Sequence, residues 1–164
     1  MTSARHRPLE LVPATALVGW REWVSLPSLG VRAMKAKVDT GARTSALHAS
    51  DVERARRRGC DLVRFSLHPL HHRPGVQVRC EAPLVDARRV TPSSGRGQER
   101  LVIAVLLELG GLSCEVEMTL ADRQDMGFRM LLGREALKAL SLVVHPGCSY
   151  LLGKRPRGLR RRPS

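Results

Sequence analysis

The stretch KAKVDTGARTSALHA, residues 35–49, decides the fold of this chain. It completes the run VRAMKAKV (31–38), in which apolar residues alternate imperfectly with Arg and Lys, a pattern typical of a half-buried strand. Asp39 follows the last apolar residue directly and opens the triplet Asp-Thr-Gly, and strand character resumes over 44–49. A carboxylate in a tight loop between two strands is poorly placed as surface decoration, so this pattern indicates a functional group.

Much of the remaining chain also reads as short strands. Alternating or apolar runs bounded by turn residues occupy 17–30, 60–70, 76–85, 100–120 and 142–153. The run 100–120 contains Gly110-Gly111, a strong hairpin signal, and the run 142–153 is predicted to form two short final strands around Pro146-Gly147.

Three segments depart from this strand pattern. The polar stretch 91–99 predicts a long hairpin tip, and the Arg-rich segment 51–59 predicts a helical turn or a loop. Residues 134–140 predict one short helix near the C-terminus. The predicted fold class is therefore mostly β, closed or sandwich-like, with a single short helix.

Composition limits the fold and the location of the protein. The chain has 164 residues, of which 43% are apolar and only 3% aromatic, so we expect one domain with a core of Leu, Val, Ala and Met. No apolar run is long enough to span a bilayer, and residues 1–16 predict a flexible arm without a secretory signal. These features predict a cytoplasmic protein with no membrane contact. The four scattered cysteines form no Cys-x-x-Cys pair, so we expect free, mostly buried thiols.

Charge points to an anionic partner. The net charge is +13, and the segment 154–164, predicted to be a disordered basic tail, contributes six basic residues and no acidic one. Without this tail, 22 basic and 15 acidic residues remain, a charge of +7. Nucleic acid, phosphate or a glutamate-rich peptide would each be attracted, and a solvated basic face with no partner is the alternative.

Two motifs together carry a family resemblance. VDTGA (38–42) and MLLGREAL (130–137) resemble the corresponding strands of retropepsin-like aspartic proteases. The resemblance implies a closed β-barrel of the acid-protease type, with Asp39 as the catalytic carboxylate. Thr40 would brace the loop, Gly41 would let N–H groups approach the carboxylate, and Gly133 would let a neighbouring strand press against it.

The chemistry of this family needs two carboxylates that share a proton. The chain contains one Asp-Thr-Gly, so the resemblance implies a homodimer in which Asp39 of each copy forms half of the dyad. A single copy would have no dyad.

Further blocks narrow the family. GWREWVSLPSLG, VRCEAPLVD and DMGFRMLLGREAL resemble bacterial retropepsin-like proteins labelled "ATP-dependent zinc protease", whose RimB-type members accompany RimK-type glutamate ligases. The resemblance covers residues 17–153. It implies an aspartic endopeptidase that removes oligoglutamate extensions from a protein such as a ribosomal protein.

The sequence does not support the zinc and ATP of that label, and we expect no cofactor. It contains no His-Glu-x-x-His motif and no phosphate-binding Gly-x-x-x-x-Gly-Lys loop. HPLHH (68–72) offers three histidines without a nearby carboxylate, which favours a polar turn over a metal site.

Viral retropepsins pair an acidic residue, soon after Asp-Thr-Gly-Ala, with the arginine that follows the later glycine; this chain has an arginine at both positions. Arg43 occupies the position of the acid, beside Thr44, and Arg134 follows Gly133. One interpretation is that both arginines pair with Glu22, Glu81 or Asp86 and brace the fold. The other is that they receive substrate carboxylates, for which the guanidinium group is suited.

Other candidate substrate contacts rest on charge and position along the chain. They are Thr44, His48, Arg129 and Arg21, and the stretch 91–99 is a candidate flap. A structural role is the alternative for His48.

Three functions remain in view from the sequence. The first is a homodimeric aspartic peptidase acting on an acidic peptide, and the second is a non-catalytic peptide-binding module on the same fold. The third is a ribosome or RNA binder that uses the basic tail and the run RARRR (54–58), although arginine runs without interleaved aromatics are weak signals of base recognition.

Overall fold

The computed structural model of the protein describes residues 16–70, 75–91, 95–122, 126–153 and 155. Within these residues the chain forms eleven strands, one α-helix and one 3-10 turn at Pro27–Leu29. The strands are β1 (Ala16–Val18), β2 (Arg21–Leu26), β3 (Val31–Val38), β4 (Ser45–His48), β5 (Ser50–Arg57), β6 (Cys60–Leu67), β7 (Val78–Val90), β8 (Gln98–Leu109), β9 (Leu112–Ala121), β10 (Met130–Leu132) and β11 (Leu142–Val144). The helix α1 spans Arg134–Ala139.

Six strands close into a barrel. Their hydrogen-bonded order is β2, β3, β10, β4, β9 and β8, and an antiparallel contact between Ser25 of β2 and Glu108 of β8 closes the circle. Strand β10 runs parallel to β3 and antiparallel to β4, so it is held on both sides. The predicted closed, mostly β fold with one short helix is confirmed.

The barrel is filled by aliphatic side chains, as the low aromatic content predicts. The largest side chains with almost no exposure include Leu26, Met34, Leu47, Met118 and Leu132. Val31, Ala33, Ala36 and Val38 of β3 are buried while Arg32, Lys35 and Lys37 are exposed, which confirms the half-buried strand.

The sheet extends beyond the barrel through a meander of antiparallel strands. From β8 the order continues through β7 and β6 to β5, which is the edge. The β7–β8 pairing reaches Val90 and Gln98, so a hairpin is confirmed at this point. Part of the candidate flap, residues 92–94, lies outside the described residues, and the flap role stays a prediction.

The interpretation of residues 51–59 as a helical turn or loop is wrong, because this segment belongs to the edge strand β5. Arg57 pairs with Cys60 across a two-residue turn in which Arg58 and Gly59 have φ values of 50° and 81°. Positive φ at both central positions is the backbone that joins two antiparallel strands tightly. The arginines face solvent from an edge, where charge is tolerated and discourages further strand pairing.

A second correction concerns the end of the domain. Residues 142–144 form β11, paired in parallel with β1, but no strand follows the Pro146-Gly147 turn within residues 148–153. The N–H groups of Leu151 and Gly153 instead donate to the Glu22 carboxylate, both at 2.9 Å. Glu22 is fully buried and also accepts from the N–H group of Gly19 at 2.8 Å. A side chain, rather than a neighbouring strand, satisfies this backbone.

The cysteines are all free, as predicted, but they are not mostly buried. Only Cys80 is buried, Cys60 is exposed, and Cys114 and Cys148 are partly exposed. Separately, no helix among the described residues combines the length and apolarity needed to cross a bilayer.

Candidate active site

The Asp39 carboxylate is oriented by the loop that follows it. At the end of β3, the Asp39 N–H group donates to the carbonyl of Leu132 at 2.9 Å, which ties the loop to β10. Its Oδ1 atom accepts hydrogen bonds from the N–H groups of Gly41 at 2.9 Å and Ala42 at 3.2 Å. A Cβ atom on residue 41 would lie 3.2 Å from the same oxygen, so glycine is the residue that fits here without crowding. The role expected for Gly41 therefore has a direct geometric basis.

The beginning of α1 holds the carbonyl groups of residues 40–43. The N–H group of Arg134 donates to the Ala42 carbonyl at 2.8 Å, and that of Glu135 donates to the Arg43 carbonyl at 3.1 Å. Neither N–H group has a partner inside the helix. Nη1 of the Arg134 side chain donates to the carbonyls of Thr40 at 2.9 Å and Gly41 at 3.0 Å. Four consecutive carbonyls are thus satisfied by one helix end, so α1 determines the position of the Asp39 loop.

Gly133 lies between β10 and α1 and packs against the start of β4. A Cβ atom on residue 133 would lie only 2.7–2.9 Å from the main-chain atoms of Thr44 and Ser45, closer than real side chains approach. The Gly133 N–H group donates to Oγ of Ser45 at 3.0 Å, and Ser45 is buried. The close approach expected at Gly133 is present. The sequence interpretation missed Ser45, although strand alternation places it on the same side as Leu47, whose side chain is buried.

Arg43 and Arg134 do not pair with Glu22, Glu81 or Asp86, so the predicted partners are wrong, although Arg134 does brace the fold through loop carbonyls. Those three carboxylates are engaged elsewhere: Glu22 with main-chain N–H groups, Glu81 with Arg57 and Arg64, and Asp86 with Arg88.

The actual contacts of these two arginines lie within the active-site loop. Arg134 binds loop carbonyls, and Nε of Arg43 lies 3.9 Å from Oε1 of Glu135. The Arg43 side chain is 80% exposed, so this ion pair is weak and leaves the guanidinium open to other partners.

His48 and Arg129 form a different cluster. Val38 pairs with Leu132, so Asp39 is level with the residue that follows Leu132 of β10. Arg129 lies four residues before that position, roughly 13 Å from Asp39 measured along the strand direction. His48 donates its main-chain N–H to the Arg129 carbonyl at 2.7 Å.

The side chain of His48 is buried and lies near a carboxylate. Its Nδ1 atom lies 3.6 Å from Oδ1 of Asp122, and its ring centroid lies 6.4 Å from that of His68. Burial, followed by the Arg129 guanidinium, lowers the pKa of His48, and the Asp122 carboxylate opposes this only in part. His48 is therefore neutral near neutral pH.

Arg21 lies on the outer side of the barrel. It pairs in register with Lys37, two residues before Asp39, and its Nε donates to Oγ of Ser149 at 3.1 Å. Its guanidinium is stacked over Trp20 and Tyr150 at 4.5 and 5.0 Å from the ring centroids.

The Asp39 loop lies at the surface of the single chain. Asp39 is partly exposed, and Thr40 and Gly41 are exposed. The Thr40 carbonyl accepts a hydrogen bond from Arg134, while its hydroxyl makes none within the part of this single chain that the structure describes, so the bracing role of the hydroxyl stays a prediction.

No metal site is evident in this region. Among the described residues, no three His, Cys, Asp or Glu side chains converge as metal ligands. Of the HPLHH histidines, His71 and His72 lie outside the described residues. The remaining one, His68, contacts Oγ of Ser50 at 3.3 Å through its Nε2 atom.

Curated proteins of similar sequence match most of this chain. Two curated relatives, from Shewanella pealeana and Desulfotalea psychrophila, are both named "Probable alpha-L-glutamate ligase" and are 45% identical over 139 residues and 42% identical over 141 residues. The matches cover 85% and 86% of this chain, but the chain spans only 30% of the length of each relative.

A solved structure shares the fold. A Legionella pneumophila protein described as of unknown function superposes with a TM-score of 0.74 at 23% identity, covering 85% of this chain and 99% of its own. A family model described as "Retropepsin-like aspartic endopeptidase RimB" matches residues 17–155. The motif resemblance is therefore confirmed, and the chain belongs to the RimB-like family of retropepsin-like aspartic endopeptidases.

Proposed function

We propose that the protein is a homodimeric aspartic peptidase in which Asp39 of each copy supplies half of a catalytic dyad. One observation carries this proposal: the Asp39 carboxylate is oriented by two N–H groups in a firmly held surface loop, and the sequence contains only one such loop. A second carboxylate in the same environment then comes from a second copy related by a two-fold axis.

In this mechanism the two carboxylates share one proton. The ionised Asp39 accepts a proton from a water molecule as the water oxygen attacks the scissile carbonyl carbon, and the protonated Asp39 donates a hydrogen bond to the carbonyl oxygen. The resulting tetrahedral species collapses when the amide nitrogen receives a proton and leaves as an amine. Water supplies both the hydroxyl and the proton of the products, so no covalent enzyme intermediate forms.

The proposed substrate is a glutamate-rich extension on a protein. Arg43, next to the Asp39 loop, has only a weak partner, and a guanidinium binds carboxylates well. The relatives named as probable glutamate ligases contain a segment similar to this chain within the same polypeptide, which supports a substrate containing glutamate. His48 and Arg129 would contact only a substrate extended along the strands.

The same proposal places the activity in the cytoplasm. All four cysteines are free thiols, which is typical of proteins from a reducing compartment.

The test is hydrolysis of a synthetic peptide carrying four glutamates at its end, prepared with α-linked or γ-linked residues, with products identified by mass spectrometry. Wild type should cleave one of these peptides and Asp39→Asn should not. Asp61→Asn is the matched control, because Asp61 is an exposed carboxylate at the start of β6. Light scattering on the same samples measures the oligomeric state.

Three results would contradict the proposal. Cleavage by the Asp39→Asn protein would rule out catalysis by an Asp39 dyad, and loss of wild-type cleavage with a chelator would point to a metal enzyme. A folded dimer that cleaves neither peptide would indicate a scaffold used for binding.

A further inference from the structure

The few aromatic residues of this chain are concentrated on one surface. The sequence contains two tryptophans and one tyrosine, and Trp20, Trp23 and Tyr150 all lie along the outer side of the β2–β3 hairpin. The ring centroids of Trp23 and Tyr150 are 6.1 Å apart and inclined by 31°. All three residues are partly exposed, so a chain with 3% aromatic residues gathers three large rings at one place on its surface.

Cations lie over these rings. The Arg21 guanidinium lies between Trp20 and Tyr150, and Nζ of Lys35 lies 5.3 Å from the Trp23 centroid and 5.9 Å from that of Tyr150. Lys37 is directly opposite Arg21 in the strand register and projects from the same side of the sheet. We call Arg21, Lys35, Lys37 and the three rings the cationic face.

The cations of this face have no carboxylate partner among the residues that the structure describes. Arg21, Lys35 and Lys37 form no ion pair in the part of the chain that the structure describes. Several arginines on the extended sheet are paired instead: Arg54 binds Glu99 at 2.7 Å and Arg88 binds Glu117 at 2.8 Å. The charges of the β2–β3 hairpin are therefore open to a partner, whereas the arginines of β5 (Arg54, Arg56 and Arg57) each lie within ion-pair distance of a carboxylate.

We propose that the cationic face is a binding surface for the carboxylate side chains of an acidic peptide, separate from the Asp39 loop. Lys37 precedes Asp39 by two residues, about 7 Å along β3. A peptide bound at the Asp39 loop can therefore continue directly over this face. The inference deepens the proposed function and rests on it for the nature of the peptide.

The arrangement of rings and cations selects a peptide over single-stranded RNA. RNA bases bind such platforms by stacking on open ring faces. Here ring faces are already covered by the chain's own cations, which remain accessible to carboxylates from outside. Cations held against rings also lose less side-chain freedom when a partner binds.

Tryptophan fluorescence gives a direct test, because both tryptophans of the chain belong to the cationic face. The Asp39→Asn protein, which leaves the peptide intact, is titrated with tetraglutamate peptide at low salt. We expect a saturable, salt-sensitive change in emission. Replacing Lys35 and Lys37 with Gln should weaken binding about tenfold, the equivalent of ~1.4 kcal/mol.

A matched control removes the same charge elsewhere. Arg54→Gln with Arg56→Gln changes two exposed cations on β5 and should alter the peptide affinity by less than about twofold. Circular dichroism confirms the fold of both double variants.

Two outcomes overturn the inference. Equal weakening of peptide binding in the two double variants would show that only the net charge of the protein matters. Binding of an oligouridine but not of the peptide would assign the face to nucleic acid. Peptide cleavage by wild type is measured separately, so the two proposals fail independently. Binding to the cationic face without cleavage refutes only the peptidase. Cleavage with an affinity unchanged by the lysine substitutions refutes only this inference.

Discussion

Replacing Gly133 with Ala should damage both stability and activity, because this residue, between β10 and α1, packs against the start of β4 without room for a side chain. The added Cβ would lie 2.7 Å from the carbonyl carbon of Thr44, and an ordinary contact needs at least 3.4 Å. The two segments must therefore separate by about 0.7 Å. Overpacking of this kind costs about 1–3 kcal/mol.

The separation also stretches hydrogen bonds around the Asp39 loop. The bonds from the N–H groups of Gly133, Arg134 and Glu135 cross the same boundary, and each contributes about 1 kcal/mol. If part of that is lost, the free energy of unfolding should fall by about 3 kcal/mol, a decrease in Tm of roughly 9 °C. Since these bonds position Asp39, peptide cleavage should fall about 100-fold.

Thermal unfolding followed by circular dichroism, and peptide cleavage at a temperature where both proteins are folded, measure these effects. Gly127→Ala is the control, because a Cβ on residue 127 meets no atom within 4 Å. A Gly133→Ala protein with the Tm and cleavage rate of wild type would refute the argument that this contact holds the loop.

Four further changes test other parts of the structure. Arg134→Ala should lower the free energy of unfolding by about 1 kcal/mol in urea titrations and reduce cleavage, and Arg134→Lys should restore part of both, because one of its nitrogens donates to two loop carbonyls. Glu22→Gln should cost about 2–3 kcal/mol in the same assay, because the amide brings N–H donors to a buried site where a carboxylate accepts only N–H groups; a cost below 0.5 kcal/mol would contradict this. The pKa of His48 is lower in the folded protein than its unfolded value of about 6.5, so the unfolded chain binds more protons at low pH. The free energy of unfolding should therefore fall from pH 7.5 to 5.5, and His48→Gln should reduce this pH dependence. Cys60 should react with a maleimide in the native protein, whereas Cys80, whose pKa burial raises to about 11, should react only after unfolding, as peptide mapping would show.

The local sequence pattern was sufficient to predict a strand where one side of the strand faces the core and the other faces solvent. The alternation over 31–38 predicts β3, and Gly110-Gly111 predicts the β8–β9 turn, because each signal acts over a few residues. Strand β5 was missed since its side chains face solvent almost throughout and give no alternation. The dipeptide Arg58-Gly59 was its one local signal.

The candidate site was predictable in its motifs and not in its long-range contacts. Asp39 and Gly133 stand in recognisable sequence blocks, and the structure brings these blocks together as expected. The bond from Gly133 to Ser45 joins residues 88 positions apart, and that from Leu151 to Glu22 joins residues 129 apart, so no local pattern contains them. His48 follows Asp39 closely in sequence, but the direction of β4 carries it to the far end of the strands.

The Glu22 carboxylate has a consequence for how this domain can be joined to others. It binds Gly19 near the beginning of the barrel and Gly153 near its end, and β1 lies in parallel with β11 beside them. The points at which the chain enters and leaves the barrel are thus neighbours, fastened by one side chain. A unit of this kind can be attached to or inserted into a longer polypeptide without rearranging its strands, a modular property that suits the presence of a similar segment as 30% of the length of a curated relative.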